Sequence, residues 1–156
     1  MTFDGLNEDF RDLIGAFADS AVDFVIVGAF ALAFHGAPRA SGDIDLLVRA
    51  DAANARRVVQ GLSNFGAPPA AHGIGEKDFA QPGKVYQIGL PPRRIDILTE
   101  ISGVTYDEAR SSSAVADVDG HSIRIIGREA FIKNKLAAGR PKDLADVARS
   151  NRRAPR

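Results

Sequence analysis

The sequence predicts a single α/β (α+β) domain of 156 residues. Helical and strand patterns alternate along the chain, which favours a sheet covered by helices. Hydrophobic residues make up 45% of the chain, so one core can form without disulfides or metals. We therefore expect residues 1–156 to form one domain, with a basic, frayed tail over residues 149–156.

The first half of the chain predicts a helix, a strand, a short helix, a second strand and a longer helix. Apolar residues recur at helical spacing in the first and last of these segments, while short apolar runs indicate the strands. The expected positions are after an Asn7 cap, at 24–27, at about 30–35, at 43–48 and after an Asp51 cap.

The second half begins with a Gly-, Pro- and Ala-rich loop over residues 66–83, a length typical of functional or disordered loops. Two strands, a short helix, a β-hairpin and a C-terminal helical hairpin are predicted to follow. The hairpin turn at Asp119-Gly120 and the helix boundaries at Gly139 and Pro141 are the clearest signals. The predicted positions are 84–90, 93–98, 106–110, 115–118 with 122–126, and two helices from about 128.

Charge and composition exclude several classes of protein. Twenty basic and twenty acidic residues give no net charge, so no global field favours nucleic acid or a membrane surface. The absence of cysteine excludes thiolate chemistry, and three scattered histidines argue against zinc. Without a signal-peptide pattern or a long apolar stretch, we expect a soluble cytoplasmic protein with no membrane partner.

Asp43 and Asp45 lie in the predicted strand 43–48, where alternate residues share a face. The two carboxylates therefore project together, and they repel each other at a cost that burial increases. A hard divalent cation with oxygen ligands usually offsets that cost. A plain structural alternative stays open, in which Asp43 caps a turn and Asp45 pairs with a surface arginine.

A third acid, Asp96, stands among apolar neighbours in the predicted strand 93–98. Three carboxylates on two strands can hold two Mg²⁺ or Mn²⁺ ions, which clamp the oxygens of a phosphoryl or nucleotidyl transfer. We therefore treat Asp43, Asp45 and Asp96 as candidate catalytic and metal-binding residues.

The strand 24–27 ends in Gly28-Ala29 at the start of a helix, where backbone N–H groups can approach a phosphate. Arg39 and Ser41 lie in the connection to the acids, where they could contact a triphosphate. These four residues are candidate nucleotide-binding residues.

Gly28-Ala29, Asp43-Ile44-Asp45 and Ile95-Asp96-Ile97 together resemble the polymerase-β-like nucleotidyltransferase superfamily. Within it, the stretches 27–45 and 134–146 are similar to small bacterial AbiEii-type toxin domains. The resemblance extends over about residues 24–148 in the same order. It implies a nucleotidyltransferase-like mixed sheet flanked by helices, with a C-terminal helical hairpin.

By this resemblance, Asp43 and Asp45 bind metal, and Asp96 activates the incoming hydroxyl. Lys135 is a phosphate contact, and Asp143 is a second candidate in the nucleotide site. Lys135 and Asp143 also have a structural interpretation, because they complement the dipoles of the two helices that they occupy. The chain departs from the superfamily at Ala29, where a serine hydroxyl would otherwise be available to phosphate.

The resemblance implies an enzyme that moves a nucleoside monophosphate from a nucleoside triphosphate to a hydroxyl, with Mg²⁺ or Mn²⁺ as cofactor. The acceptor is open among RNA, a protein side chain and a small molecule, and a toxin–antitoxin setting implies an antitoxin partner. The alternative is a non-catalytic module that keeps the fold to bind a nucleotide or a partner protein.

Overall fold

The computed structural model describes residues 6–36, 42–90 and 93–152. Across these residues the chain forms six strands and seven α-helices. The strands are β1 (Phe24–Val27), β2 (Ile44–Val48), β3 (Val85–Ile88), β4 (Ile95–Leu98), β5 (Ala114–Val118) and β6 (His121–Ile125). The helices are α1 (Glu8–Asp19), α2 (Gly28–Phe34), α3 (Ala52–Phe65), α4 (Glu76–Phe79), α5 (Tyr106–Ser111), α6 (Arg128–Ala138) and α7 (Pro141–Arg152).

The strands form one mixed sheet in the order β3-β4-β2-β1-β6-β5. β2 runs antiparallel to β1 and parallel to β4, so β1 ends at the edge of the sheet where β2 and β4 begin. In this register Asp45 is paired with Val27 on one side and with Asp96 on the other. The predicted mixed sheet, flanking helices and C-terminal helical hairpin (α6 and α7) are confirmed.

The core lies between the central strands and the helices that cover them. All four residues of β1 are buried, and α1 buries an apolar face of four residues against the sheet and α3. Burying each such large side chain contributes about 1.5–3 kcal/mol to folding. The buried residues of α1 are Phe10, Leu13, Ile14 and Phe17.

Both predicted N-caps are present. Asn7 Oδ1 accepts a hydrogen bond from the backbone N–H of Phe10 at 2.9 Å, and Asp51 Oδ1 accepts one from that of Asn54 at 2.7 Å. Each satisfies a donor that the first turn of a helix leaves unpaired. None of the helices in the described part of the chain has the length and apolar composition needed to cross a bilayer.

The structure corrects the prediction of an uninterrupted loop over residues 66–83. This segment contains a 3-10 turn at Pro69–His72 and the short helix α4. The side chain of Asp78 accepts a hydrogen bond from the backbone N–H of Gly75 at 2.9 Å, and Phe79 is buried in the core. One buried aromatic residue and one local hydrogen bond therefore hold a helix too short for a periodic apolar pattern.

The prediction of a frayed tail over 149–156 is also wrong for its first part, because α7 continues to Arg152. Arg149 Nη1 donates to Asp146 Oδ1 at 3.3 Å, which ties this turn of α7 to a buried acid. The remainder of the predicted tail lies outside the described residues. The short helix expected at about 30–35 begins earlier, at Gly28.

Candidate active site

A cavity of about 770 Å³ opens at the edge of the sheet where β1 ends and β2 and β4 begin. Its walls are the turn from β1 into α2, the first residues of β2 and β4, and the α6–α7 hairpin. All three predicted carboxylates, Asp43, Asp45 and Asp96, line it. The topology therefore brings together acids that are about fifty residues apart in sequence.

Gly28 is in direct contact with the central acid. Its backbone has φ +73°, a left-handed conformation that lets α2 begin immediately after β1. A Cβ atom at this position would overlap Oδ2 of Asp45. The carboxyl group thus occupies the space that any other residue at position 28 would need.

The carboxyl group of Asp45 has a strongly raised pKa. Burial raises the pKa of Asp45 to about 6, and the neighbouring charge and hydrogen bond of Asp96 add to the effect. The charge of Lys135 opposes the increase, and Asp43 contributes to it. Two adjacent carboxylates in register on parallel strands therefore hold more negative charge than their protein surroundings compensate.

Arg94 contacts the other two acids. Its Nε donates to Asp96 Oδ1 at 2.9 Å and its Nη2 donates to Asp96 Oδ2 at 3.3 Å, a two-pronged pairing. Its backbone N–H donates to Asp43 Oδ1 at 2.9 Å, and its Nη2 lies 3.7 Å from Asp43 Oδ2. The hydrogen bond with Asp96 raises the pKa of the Arg94 guanidinium.

Lys135 projects from α6 into the cavity wall and is almost fully buried. Its Nζ lies 3.3 Å from Asp143 Oδ1 and 3.8 Å from Asp146 Oδ2. Arg140, in the turn between α6 and α7, adds three hydrogen bonds to Asp143, two from its side chain at 2.6 and 3.1 Å and one from its backbone N–H at 3.2 Å. The cation that faces the acids is therefore held by two carboxylates of the following helix.

Asp143 and Asp146 are both completely inaccessible to solvent, with 0% of their surface exposed. Burial alone would raise the pKa of Asp143, but the hydrogen bonds of Arg140 and the charge of Lys135 lower it below its ordinary value. The side chain of Arg149 donates a hydrogen bond to Asp146, so a second arginine, besides Arg140, contacts this pair of acids. Several cations compensate these two buried carboxylates, in contrast to Asp45.

The other predicted nucleotide-binding residues fall into two groups. Gly28, Ala29, Lys135 and Asp143 line the cavity together with the three acids. Arg39 and Ser41 lie outside the described residues. Both oxygens of Asp143 accept hydrogen bonds from Lys135 and Arg140, so its observed contacts are those of a residue that holds two cations in place.

Two site residues were not assigned from the sequence. Arg94 stands two positions before Asp96, as the residue that precedes β4, and this spacing is the signal that could have identified it. Asp146 stands three positions after Asp143, which places both acids on one face of a helix. Their partners, however, come from other elements and depend on the register and the helix packing.

The donor chemistry of the cavity fits a hard divalent cation, because three carboxylates supply oxygen ligands and Asp45 lacks sufficient positive compensation. Residues 6–36, 42–90 and 93–152 contain no cluster in which three or more acidic or histidine side chains are close enough together to form a complete metal site. Arg94 is paired with two of the three candidate ligands in the same arrangement.

Solved structures with the same fold include three nucleotidyltransferase-like proteins. A Thermotoga maritima protein described as a nucleotidyltransferase is 14% identical, with a TM-score of 0.57, 96% of this chain covered and 97% of the other. A lincomycin-bound lincosamide antibiotic adenylyltransferase is 13% identical, with a TM-score of 0.53 and coverage of 97% and 100%. An antigenic nucleotidyltransferase-like protein from Paracoccidioides brasiliensis is 14% identical, with a TM-score of 0.50 and coverage of 93% and 77%.

Among curated proteins, no sequence matches this chain significantly. The family model for the nucleotidyl transferase AbiEii toxin of type IV toxin–antitoxin systems matches residues 11–154. That match spans the sheet, the acids and the α6–α7 hairpin. The chain is therefore a nucleotidyltransferase and belongs to the AbiEii toxin family.

Proposed function

We propose that this chain transfers a nucleoside monophosphate from a nucleoside triphosphate to a hydroxyl group of an RNA, a protein or a small molecule in a divalent-cation-dependent reaction. The observation that carries the proposal is the pairing of Asp45 with Asp96 on adjacent strands, against Gly28 and in one cavity with Lys135. Cytoplasmic triphosphate would supply the nucleotide, and an antitoxin encoded with the toxin would restrain the activity.

Asp43, Asp45 and Asp96 are the residues that would hold Mg²⁺ or Mn²⁺, as one or two ions. When bound, the cation supplies charge neutralisation on the triphosphate and orientation of the reacting oxygens. The raised pKa of Asp45 supports this assignment, because burial first and the charge of Asp96 second disfavour the ionised carboxylate, and a bound cation would favour it.

The chain's own residues would position the two substrates. The acceptor oxygen forms a bond to the α-phosphorus while the bond to the bridging oxygen breaks and pyrophosphate leaves. Asp96 takes the proton of the acceptor hydroxyl. Lys135 and the Gly28-Ala29 backbone contact the phosphates, and Asp143 with Asp146 keeps the Lys135 ammonium group directed at the cavity.

A label-transfer assay tests the proposal. The full chain is incubated with each α-labelled nucleoside triphosphate, Mg²⁺ or Mn²⁺, and cellular RNA or protein. We expect labelled acceptor and released pyrophosphate, both abolished by EDTA and by Asp45→Asn. Nuclease and protease treatment of the product then identifies the acceptor class.

Asp12→Asn provides the matched control, because Asp12 is an exposed acid on α1 outside the cavity lining. It removes the same charge and should keep full transfer. Transfer that persists in Asp45→Asn would contradict the proposal. Nucleotide binding without any pyrophosphate release would instead indicate a binding module.

A further inference from the structure

The side chain of Arg94 occupies both oxygens of Asp96. Its Nε and Nη2 atoms lie 2.9 and 3.3 Å from Oδ1 and Oδ2, so the planar fork covers the carboxylate edge to edge. A carboxylate offers about four lone-pair sites in total. Asp96 is also paired in register with Asp45, so the group that Arg94 covers lies beside the central acid.

The same residue also engages Asp43. Its backbone N–H donates to Oδ1 at 2.9 Å, and the guanidinium lies 3.7 Å from Oδ2. One residue therefore binds two of the three carboxylates, one just before β2 and the other in β4. The guanidinium spans the gap between the beginnings of β2 and β4.

Arg94 differs from Lys135 in how freely its charge can move. The Arg94 side chain is 30% exposed and lines the cavity, whereas the Lys135 side chain is 10% exposed and lies against fully buried acids. Arg94 can therefore swing away from Asp96 into the cavity without uncovering the core. Its backbone hydrogen bond to Asp43 would be unaffected by that movement.

We propose that Arg94 is a resident counter-ion of the acid set, holding Asp43 and Asp96 in place until a divalent cation displaces its guanidinium. This inference rests on the proposed function, because it takes Asp43, Asp45 and Asp96 as the ligands. The guanidinium and a cation would compete for the same oxygens, and their positive charges repel each other at that distance. Cation binding is therefore an exchange of one positive group for another.

The exchange predicts opposite effects of one substitution in two measurements. Removing the guanidinium leaves the acids uncompensated, so the cation-free chain should be less stable. The same change removes the competitor, so cation binding should be tighter. A merely structural arginine would lower stability and would not tighten binding.

The test uses Mn²⁺ alone as the probe and the full chain after EDTA treatment and removal of the chelator. Calorimetric titration gives the Mn²⁺ dissociation constant for the wild type, Arg94→Gln and Arg93→Gln. Loss of one adjacent unit charge should lower the constant about tenfold in Arg94→Gln. The exposed neighbour Arg93 carries the same charge on the same segment, so Arg93→Gln should stay within about twofold of wild type.

Thermal unfolding in EDTA supplies the second measurement, with a lower midpoint expected for Arg94→Gln and a larger upward shift on adding Mn²⁺. Unchanged or weaker Mn²⁺ binding in Arg94→Gln would overturn the inference. If Arg94→Gln does not fold, Arg94→Lys decides, since it keeps the charge but loses the two-pronged contact. Its dissociation constant should lie below that of wild type, and an equal or higher value would overturn the inference.

The outcomes separate this inference from the proposed function. Tighter Mn²⁺ binding in Arg94→Gln together with no label transfer would support the counter-ion role and contradict the transfer activity. Label transfer together with equal Mn²⁺ binding by the wild type and Arg94→Gln would support the transfer activity and contradict the counter-ion role. No Mn²⁺ binding to either protein would overturn both the inference and the cation dependence.

Discussion

Two groups of carboxylates meet at one cavity and differ in how their charge is balanced. At the edge of the sheet, Asp45 is only partly buried, yet the pKa of its carboxyl group is raised to about 6. In the α6–α7 hairpin, Asp143 is fully buried, yet its pKa is lowered. Burial raises the pKa of both acids, and only at Asp143 do neighbouring cations outweigh it.

The comparison distinguishes the part of the cavity whose acids are paired with several cations of the chain from the part whose acids have fewer such partners. Lys135, Arg140 and Arg149 satisfy the hairpin acids from within the chain. The acids of the sheet share a single guanidinium and the field of Lys135. An arrangement that repels itself without a bound cation is typical of binding sites rather than of structural ion pairs.

The largest expected effect is on activity. Asp45→Asn should reduce label transfer on the order of a thousandfold or more, equivalent to about 4 kcal/mol of activation free energy. The free energy of unfolding in EDTA should be unchanged or higher, because the substitution relieves repulsion from Asp96. A loss of several kcal/mol in urea unfolding would show that Asp45 is structural and would remove the distinction between the two groups.

The next effect is on stability, in the hairpin. Asp143→Asn should lower the free energy of unfolding by about 3 kcal/mol, because it leaves the buried Lys135 ammonium short of a partner. Urea denaturation measures the change, with Lys142→Gln in the same turn of α7 as an exposed control. Normal stability combined with lost nucleotide binding would instead assign Asp143 to the nucleotide site.

The pH dependence of stability should differ in sign between the groups. The folded pKa of Asp45 is raised, so its contribution is complete below its unfolded pKa of about 3.8 and is lost as pH rises through 6. The loss should be about 3 kcal/mol in EDTA. Asp143 has a lowered folded pKa, so its contribution is present above the unfolded pKa and is lost as pH falls.

Denaturation curves collected between about pH 2 and 8 test both signs, because this range includes the Asp45 pKa of about 6 and the region below 3.8 where the Asp143 contribution is lost. Asp45→Asn should remove the decline above pH 4, and Asp143→Asn should weaken the decline at lower pH. A decline above pH 4 that persists in Asp45→Asn would place the raised pKa on another acid of the coupled pair.

The smallest effect concerns the contact between Gly28 and Asp45. Gly28→Ala introduces both a left-handed alanine and an overlap with the carboxyl group. An Asp45→Ala background removes the overlap with the carboxyl group and leaves the left-handed backbone and a close contact with the remaining Cβ, so the substitution should be about 1 kcal/mol less destabilising there. If Gly28→Ala lowers the free energy of unfolding equally in the wild-type and Asp45→Ala backgrounds, the overlap relaxes without strain.

Local signals predicted most of the fold. The Asn7 and Asp51 caps, the Asp119-Gly120 turn and the Gly139 helix end each depend on residues that are close in sequence, and all four are observed. Helix α4 was not predicted because four residues are too few for a periodic apolar pattern.

The acids of the site could be predicted, whereas their partners could not. Alternation along a strand identifies Asp45 and Asp96 as unusual polar residues beside apolar ones. The pairing of Arg94 with Asp43 depends on the register of β2 against β4. The anchoring of Lys135 by Asp146 depends on how α7 packs on α6. Such contacts follow from tertiary structure, which one sequence does not display.

The close approach of Gly28 to Asp45 has a consequence for transplanting this site into another scaffold. A designer who copied only the strand with its acids would place the Asp45 carboxyl group against whatever side chain the host carries at the end of the neighbouring strand. The turn from β1 into α2 must therefore be transplanted together with β2. The smallest portable version of the Gly28–Asp45 contact is a strand–turn–helix paired with the acidic strand, to which β4 must be added for Asp96.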